Sequence, residues 1–265
     1  MVELKQGDCL ELMKDITDGS VDMILCDLPY GTTACKWDNV IPFEPLWEQY
    51  KRVIKKNGAI VLFGIEPFSS FLRCSNIKNY KHEWYWNKIN AGNFVQAKNH
   101  PLKIVENIIV FSFGKVNYNP IMVENSDQYA DELKKKNFNK KESSITQTVS
   151  DKYFPMASGK FLVQSDEKYA YPKNILTFSK FGNECNSKHR LHPTQKPVAL
   201  LEYLIKTYTN AGDTVLDNCM GSGSAGVACV NTGRNFIGIE LDEHYFEIAK
   251  NRIESSEKQN GEKQL

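Results

Sequence analysis

Short apolar runs alternate with amphipathic segments along most of the chain. The apolar runs have the length of strands and end at turn residues. They predict strands at residues 2–6, 21–26, 59–63, 82–86, 107–113, 214–218 and 236–240. Apolar residues spaced three and four apart predict helices at 9–16, 43–56, 67–75, 198–207 and 222–232, and a last helix that Asp242 caps and that frays from about residue 255. This alternation predicts an α/β fold with a doubly wound, mostly parallel sheet.

Residues 115–187 interrupt this regular pattern. The segment is polar, contains a lysine cluster and shows no sustained periodicity. It is too long for an ordinary loop within a compact domain. We expect an inserted recognition region that divides the main fold into residues 1–114 and 188–265; a disordered insert without a role is the alternative.

Composition narrows the class of protein. Hydrophobic residues make up 41% of the 265 residues and charged residues 25%, as in ordinary globular proteins. No apolar run is long enough to cross a bilayer, and residues 1–6 do not resemble a signal peptide. The seven cysteines form no CxxC pair, so we expect reduced thiols, no metal site and a cytoplasmic location.

The charge is unevenly distributed, although the net charge is only +1. Residues 76–103 contain five lysines and one acid, and residues 114–190 contain 13 basic and 9 acidic residues. This asymmetry is compatible with a protein that has one DNA-facing side. A solvated lysine surface explains the charge alone equally simply.

A glycine-rich turn follows the predicted strand at 214–218. Residues 221–226 match GxGxxG, and Glu240 follows Gly221 by 19 residues, at the end of the next strand. Such glycines let a backbone approach a ligand, and an acid at that distance commonly binds ribose hydroxyls. The motif alone does not separate NAD from S-adenosylmethionine. Asp217 would repel a pyrophosphate but suits an ammonium or sulfonium group; a tight strand–helix turn is the alternative.

A second chemical signal, Asp27-Leu28-Pro29-Tyr30, directly follows the predicted strand at 21–26. The Asp27 carboxylate and the Leu28 carbonyl could accept both hydrogens of a planar amino group and draw its nitrogen towards tetrahedral geometry. Pro29 stiffens the backbone and adds no competing N–H. Tyr30 offers a flat face for a base to stack on. A strand-ending turn is the simpler reading of this tetrapeptide alone.

A third segment, residues 192–197, precedes the helix predicted at 198–207. Thr194 could cap this helix, and His192 and Lys196 could meet a carboxylate near its start. A proline-bounded turn explains the composition equally well.

Taken together and in this order, the three segments resemble those of the β-group amino DNA methyltransferases. In that family a DPPY-type motif precedes an HPTQKP segment and a DxFxGSG loop. The resemblance covers nearly the whole chain except about 115–187. Within the family, the chain looks like the small orphan or phage-type members. The resemblance implies the sheet of the S-adenosylmethionine-dependent methyltransferases, with a catalytic half at 1–114, a target-recognition region at 115–187 and a cofactor-binding half at 188–265.

The resemblance also implies roles for individual residues. Catalysis would involve Asp27, Leu28, Pro29 and Tyr30. The cofactor, S-adenosylmethionine, would contact Asp8, Cys9, Asp27, His192, Thr194, Lys196, Asp217, Gly221, Gly223, Ser224 and Glu240. In that assignment Glu240 takes the ribose hydroxyls, and His192 and Lys196 hold the cofactor carboxylate.

Double-stranded DNA, from which the target base is flipped, would be the substrate. Its expected contacts are Lys36, Trp37, Lys134, Lys135, Lys136, Lys140 and Lys141. For Trp37, the simpler interpretation is a tryptophan that packs within a loop.

Two positions depart from the family pattern. Leu28 replaces the usual proline of the catalytic motif, and Cys219 replaces the aromatic residue of the glycine loop. The Leu28 carbonyl is retained, whereas Cys219 would loosen the packing around the cofactor.

Asp27 favours adenine N6 as the target, because cytosine-N4 members more often have serine at this position. We therefore expect a site-specific adenine-N6 DNA methyltransferase, with a homodimer and a restriction endonuclease partner as further possibilities. The alternatives are a cytosine-N4 enzyme, an NAD-dependent oxidoreductase, and a DNA-binding protein with a degenerate site.

Overall fold

The computed structural model describes residues 1–31, 39–92, 94–124, 168–180 and 195–262. The chain forms two compact units. The first comprises Met1–Asn119 and Lys173–Leu265, and the second comprises Pro120–Pro172.

The strands, numbered along the chain, are β1 (Val2–Gln6), β2 (Val21–Cys26), β3 (Ile54–Gly64), β4 (Tyr80–Gly92), β5 (Lys103–Phe111), β6 (Val123–Glu124), β7 (Tyr169–Ala170), β8 (Ile175–Thr177), β9 (Thr214–Asp217) and β10 (Asn235–Glu240). The α-helices are α1 (Cys9–Leu12), α2 (Phe43–Val53), α3 (Phe68–Ser75), α4 (Val198–Tyr208), α5 (Ser224–Thr232) and α6 (Glu243–Glu262). Short 3-10 turns cover Met13–Asp15, Ile77–Asn79 and Phe94–Gln96.

The first unit is built on an eight-stranded sheet with the order β1-β10-β9-β2-β3-β5-β4-β8. Strand β5 runs antiparallel to both of its neighbours, and the other neighbouring strands pair in parallel. Helices cover both faces. Helices α1, α2 and α3 pack on one face, and α4, α5 and α6 pack on the other.

Strand β2 shows why this arrangement follows from the sequence. All six of its residues are buried, because Met23 and Leu25 face one helical layer while Ile24 and Cys26 face the other. A continuous apolar run satisfies both layers at once. The predicted doubly wound, mostly parallel sheet is confirmed.

Several predicted boundaries were wrong, and three helices illustrate this. Helix α2 ends at Val53 instead of residue 56, because Ile54 already pairs with Val21 as the start of β3. The helix predicted at 9–16 is α1 followed by a 3-10 turn. The C-terminal helix does not fray at 255 but continues to Glu262, where Ser256 and Asn260 donate hydrogen bonds of 3.2 Å to the Asn231 side chain.

A crevice suited to ligand binding lies at the carboxyl ends of the neighbouring strands β2 and β9. The helix that follows β2 packs on one face of the sheet, and the helix that follows β9 packs on the other. A crevice therefore opens beyond their carboxyl ends, which is where ligands bind in such sheets.

In the second unit, β6 and β7 form a two-stranded antiparallel sheet. The predicted DNA contacts Lys134, Lys135, Lys136, Lys140 and Lys141 lie outside the described residues. The assignment of 115–187 to target recognition stays a prediction.

Across the described ranges, we find no helix with both the length and the apolar character needed to span a bilayer.

Close packing between α5 and α6 depends on Gly226. A Cβ atom at this position would lie 2.8 Å from Ile253 Cγ1 and 2.9 Å from Phe236 Cε1. We expect Gly226→Ala to lower the free energy of unfolding by about 1–3 kcal/mol through overpacking, although alanine favours the helix itself. Urea unfolding monitored by circular dichroism measures the change. Gly261→Ala is the matched control, because nothing lies within 4 Å of its added methyl; similar midpoints for both variants would contradict the packing argument.

Candidate active site

A cavity of about 600 Å³ lies in the crevice beyond β2 and β9. The predicted site residues that line it are Asp8, Cys9, Asp27, Leu28, Pro29, Tyr30, Lys196, Asp217, Gly221, Ser224 and Glu240. His192, Thr194, Lys36 and Trp37 lie outside the described residues. Segments that are distant in the sequence thus share one cavity of a size typical for small ligands.

Tyr30 connects the catalytic motif to a third strand. Its hydroxyl donates a hydrogen bond to Asp27 Oδ1 at 2.5 Å and lies 3.3 Å from Glu106 Oε1, on β5. The Tyr30 ring packs on Phe68, with 4.9 Å between the ring centroids. The ring is therefore held both at its edge and at one side.

Lys196 lies between two carboxylates. Its ammonium forms an ion pair with Asp27 Oδ2 and lies 3.1 Å from Glu106 Oε1. Lys88 approaches Glu106 Oε2 from the other side at 3.6 Å. The side chains of Lys196 and Glu106 are only 9% and 8% exposed, so these charges are largely desolvated. We call Asp27, Tyr30, Lys88, Glu106 and Lys196 the charged cluster.

The two carboxylates of the charged cluster differ in proton affinity. Burial raises the pKa of Asp27, and the ammonium of Lys196 opposes this only in part. Burial also acts on Glu106, but Lys196 and Lys88 outweigh it and hold the pKa of that carboxyl below its usual value. Burial lowers the pKa of Lys196, yet the two carboxylates raise it further, so the ammonium stays charged. Asp27 is the carboxylate of the cluster that accepts a proton more readily.

The family resemblance implies that Lys196 meets a carboxylate of the cofactor. The structure instead pairs its ammonium with the protein's own Asp27 and Glu106. The contact with a cofactor carboxylate stays a prediction.

Sequence reasoning missed Glu106 and Lys88. A signal for Glu106 was present, because it is the single acid in the apolar run of β5 and alternation places it on the same face as the buried Ile108 and Val110. A charged residue on a core face is rarely buried without partners. The predicted strand began at residue 107, one position too late to show this.

Glu240 holds the glycine turn. Its Oε2 atom accepts a hydrogen bond from Gly221 N at 2.8 Å, and its Oε1 atom accepts one from Asp242 N at 2.9 Å. An ionised carboxylate has about four acceptor positions, so these two contacts do not exhaust its acceptor capacity. Burial raises the pKa of Glu240.

The two predicted cofactor glycines have different surroundings. Gly221 has a φ of 52° and lines the cavity, as expected of a residue that lets the backbone approach a ligand. Gly223, with a φ of 76°, does not line the cavity. A Cβ atom there would lie 2.9 Å from the Cβ of Ala249 on α6. The small size of Gly223 serves the packing of helix α6, and its contact with a cofactor stays a prediction.

Asp217 is a buried carboxylate at the cavity wall. It is 6% exposed, and its Oδ1 atom accepts a hydrogen bond from Cys219 N at 3.1 Å. Among the residues that the structure describes, no lysine or arginine forms an ion pair with it. Burial raises its pKa to about 7. A carboxylate in this situation suits a cationic group of a ligand.

Asp8 and Cys9 lie at the same cavity, at the start of α1. Asp8 caps this helix, because its Oδ1 atom accepts hydrogen bonds from Leu10 N at 2.8 Å and Glu11 N at 3.3 Å. Cys219, the residue that replaces the expected aromatic, lines the same cavity. The interaction with the Cys219 side chain, reinforced by burial, raises the pKa of Cys9, so this thiol stays protonated.

Comparisons with known proteins agree on one family. Residues 21–251 match the family described as DNA methylase. The chain is 28% identical over 259 residues to the type II methyltransferase M.HpaI of Haemophilus parainfluenzae, a match that covers 94% of this chain and 73% of the relative. It is 29% identical over 260 residues to the DNA adenine methyltransferase YhdJ of Escherichia coli strain K12, covering 94% and 81%. The crystal structure of an M1.HpyAVI–SAM complex is similar with a TM-score of 0.60 and 26% identity, covering 96% and 99%.

Removing the ammonium of Lys196 should lower the free energy of unfolding, because the charged cluster would lose the cation between its two carboxylates. Lys196→Met would leave Asp27 and Glu106 buried without this cation, and we expect a loss of about 3–5 kcal/mol in the free energy of unfolding at pH 8. The folded-state pKa of both carboxyls would then exceed the unfolded value. The loss should therefore be smallest at low pH and grow as the pH rises through the raised values.

Urea unfolding at pH 5 and pH 8 measures this loss. Lys55→Met is the control, because Lys55 pairs with Asp22 at 2.6 Å while its own side chain is 50% exposed. An equal loss at both pH values for Lys196→Met would contradict the proposed cause.

Proposed function

The chain belongs to the DNA methylase family, and we propose that it transfers a methyl group from S-adenosylmethionine to the exocyclic N6 of a flipped adenine at a specific site in double-stranded DNA. The family resemblance of the three sequence motifs is thereby confirmed. The observation that carries the proposal is the meeting of Asp27–Tyr30 with Asp217 and Gly221 in one cavity. The name of the relative YhdJ, an adenine methyltransferase, supports the choice of base.

The residues of the cavity fit S-adenosylmethionine, which supplies an electrophilic methyl group on a sulfonium. Asp217 gives a buried negative charge for a cationic part of the cofactor. Gly221 leaves the backbone accessible, and Glu240 keeps acceptor positions for ribose hydroxyls. A pyrophosphate would meet repulsion from Asp217, which argues against the oxidoreductase alternative.

Asp27 and the Leu28 carbonyl would accept the two hydrogens of the target amine. Both oxygens of Asp27 already have partners, Tyr30 and Lys196. Glu106 Oε1 lies 3.3 Å from the Tyr30 hydroxyl, so this hydroxyl can turn to Glu106 and free Asp27 Oδ1 without losing a hydrogen bond. Methylation makes the amine acidic, and the raised pKa of Asp27 suits it to take the released proton.

The departure at Leu28 is compatible with this role. The Leu28 side chain is 4% exposed and belongs to the core beneath α1, α2 and α3. This packing anchors the backbone where the family usually has a proline ring. The neighbouring Tyr30, backed by Phe68, would offer the remaining side of its ring to the flipped base.

We further propose that 1–114 acts as the catalytic half, 115–187 as the target-recognition region and 188–265 as the cofactor-binding half. Lys36, Trp37 and the Lys134–Lys141 lysines would contact DNA, and His192 and Thr194 the cofactor. A homodimer, a restriction endonuclease partner and a cytoplasmic location stay predictions; the naming of M.HpaI as a type II methyltransferase supports a link to restriction–modification.

Nucleoside mass spectrometry on unmethylated DNA incubated with the protein and S-adenosylmethionine tests the reaction. We expect N6-methyladenine, and we expect Asp27→Ala to abolish its formation while cofactor binding is largely retained, because the main role of Asp27 is to bind the amine. Asp18→Ala is the control, since Asp18 is 76% exposed and pairs with Arg52. Formation of N4-methylcytosine would agree with the mechanism but contradict adenine as the target base. Full turnover by Asp27→Ala would contradict the mechanism.

The pKa of Asp217 predicts a pH dependence of cofactor binding. Burial raises this pKa to about 7 in the free protein, and a bound cation favours the ionised form. Below pH 7, binding must release this proton, so the Kd should rise by up to about tenfold per pH unit. Above pH 7, the contribution of Asp217 should be constant.

Isothermal titration calorimetry with S-adenosylmethionine between pH 5.5 and 7.5 measures this dependence. Asp217→Asn should bind S-adenosylmethionine more weakly at pH 7.5 and lose the part of the pH dependence that arises from Asp217. The difference between the pH profiles of the Kd for the protein and for this variant therefore separates the effect of Asp217 from those of Asp27 and Glu240. 5′-Methylthioadenosine, which lacks both cationic groups, should show no such difference. Parallel profiles for the protein and Asp217→Asn would argue against a cation at this carboxylate.

A further inference from the structure

The β4–β5 hairpin extends past the active site. Strands β3 and β4 both run antiparallel to β5, so β4 points in the same direction as β3 and the parallel β2. Its carboxyl end therefore lies at the edge of the sheet where the cavity opens. The hairpin also builds the cavity wall, since Trp86, Lys88 and Glu106 line it.

The end of this hairpin extends beyond the residues that line the cavity. Lys103 is the first residue of β5 and lies three positions before Glu106, a distance of about 10 Å along a strand. The connection between Gly92 and Lys103 lies farther out still. DNA must approach this edge of the sheet for a base to reach Asp27.

Large apolar side chains are exposed at this end of the hairpin. Phe94 is 70% exposed, Val95 is 91% exposed and Ile89 is 55% exposed. Ile89 also has a φ of 65°, an unusual conformation for a β-branched residue, within a bulge where its N–H donates to Asn87 Oδ1 at 3.0 Å. Strained backbone and exposed apolar side chains together indicate a contact surface.

The charge of the same segment suits DNA. Between Glu83 and Glu106 the chain contains three lysines and no acid. Lys88 pairs with Glu106, whereas Lys98 and Lys103 follow Phe94 and Val95 in the chain. Phosphates would be attracted to these two lysines.

We propose that the end of the β4–β5 hairpin is a DNA wedge, in which Phe94 and Val95 enter the base stack beside the flipped nucleotide and Lys98 and Lys103 contact the flanking phosphates. Extruding a base breaks stacking and pairing. An apolar side chain that occupies the vacated space recovers part of that cost and hinders the return of the base. This inference rests on the proposed methyltransferase function and assigns a role to two of the five lysines in residues 76–103.

The test uses the full chain and the DNA position that the wild-type protein methylates, mapped from its own product. Two duplexes carry this position, one with the target base paired and one with an abasic site opposite it. We expect Phe94→Ala/Val95→Ala to slow methylation of the paired duplex at least about tenfold, since base–aromatic contacts carry much of such binding. The abasic duplex should be methylated within about threefold of wild type, because its base no longer needs a wedge to leave the stack.

Phe71→Ala is the matched control, because Phe71 is 65% exposed but lies on α3. Equal slowing on both duplexes, or no slowing on either, would overturn the wedge. A change of sedimentation coefficient on Phe94→Ala/Val95→Ala would also overturn it and assign the surface to a second copy of the chain. Failure of the proposed function looks different, since the wild-type protein itself would then leave all DNA unmethylated, and the wedge would fall with it.

Discussion

The parallel pairing of β2 with β9 is the constraint on which the site depends. Met23 and Ile24 pair with Val215 and Leu216, although 192 sequence positions separate the paired residues. Asp22 reinforces this pairing, because its Oδ2 atom accepts a hydrogen bond of 3.0 Å from Thr214 N and its Oδ1 atom binds Lys55. With the starts of both strands held, Asp27 and Asp217 are delivered side by side at the other end.

The contacts within the charged cluster both stabilise the fold and position the groups proposed to act in catalysis. Asp27 and Glu106 can be buried together because one ammonium, that of Lys196, contacts both, and Lys88 balances the remaining charge. An isolated buried carboxylate would be costly, so each member depends on the others. The same contacts give Tyr30 two possible acceptors, which leaves Asp27 able to change partners during a reaction.

Glycines near the cavity meet two separate requirements. Gly221 leaves room on the ligand side, while Gly223 and Gly226 leave room for Ala249 and Ile253 of α6. A motif associated with nucleotide-like ligands is therefore in part a helix-packing motif. The close approach of α6 in turn accounts for its length, since the polar residues beyond Ile253 reach Asn231 at the end of α5.

The sequence by itself determined the local elements and the chemical motifs. Apolar runs such as residues 21–26 predict strands because both of their faces must be covered, and Asp27–Tyr30 and the glycine turn keep their chemistry wherever the chain places them. Only the tertiary structure decided which partners those residues meet. Lys196 faces Asp27 and Glu106, Gly223 faces α6, and Ile54 leaves the helical pattern to pair with Val21. Burial of charge, close packing and strand pairing are properties of contacts between distant segments, so a local pattern such as the alternation around Glu106 indicates that a partner is needed without identifying it.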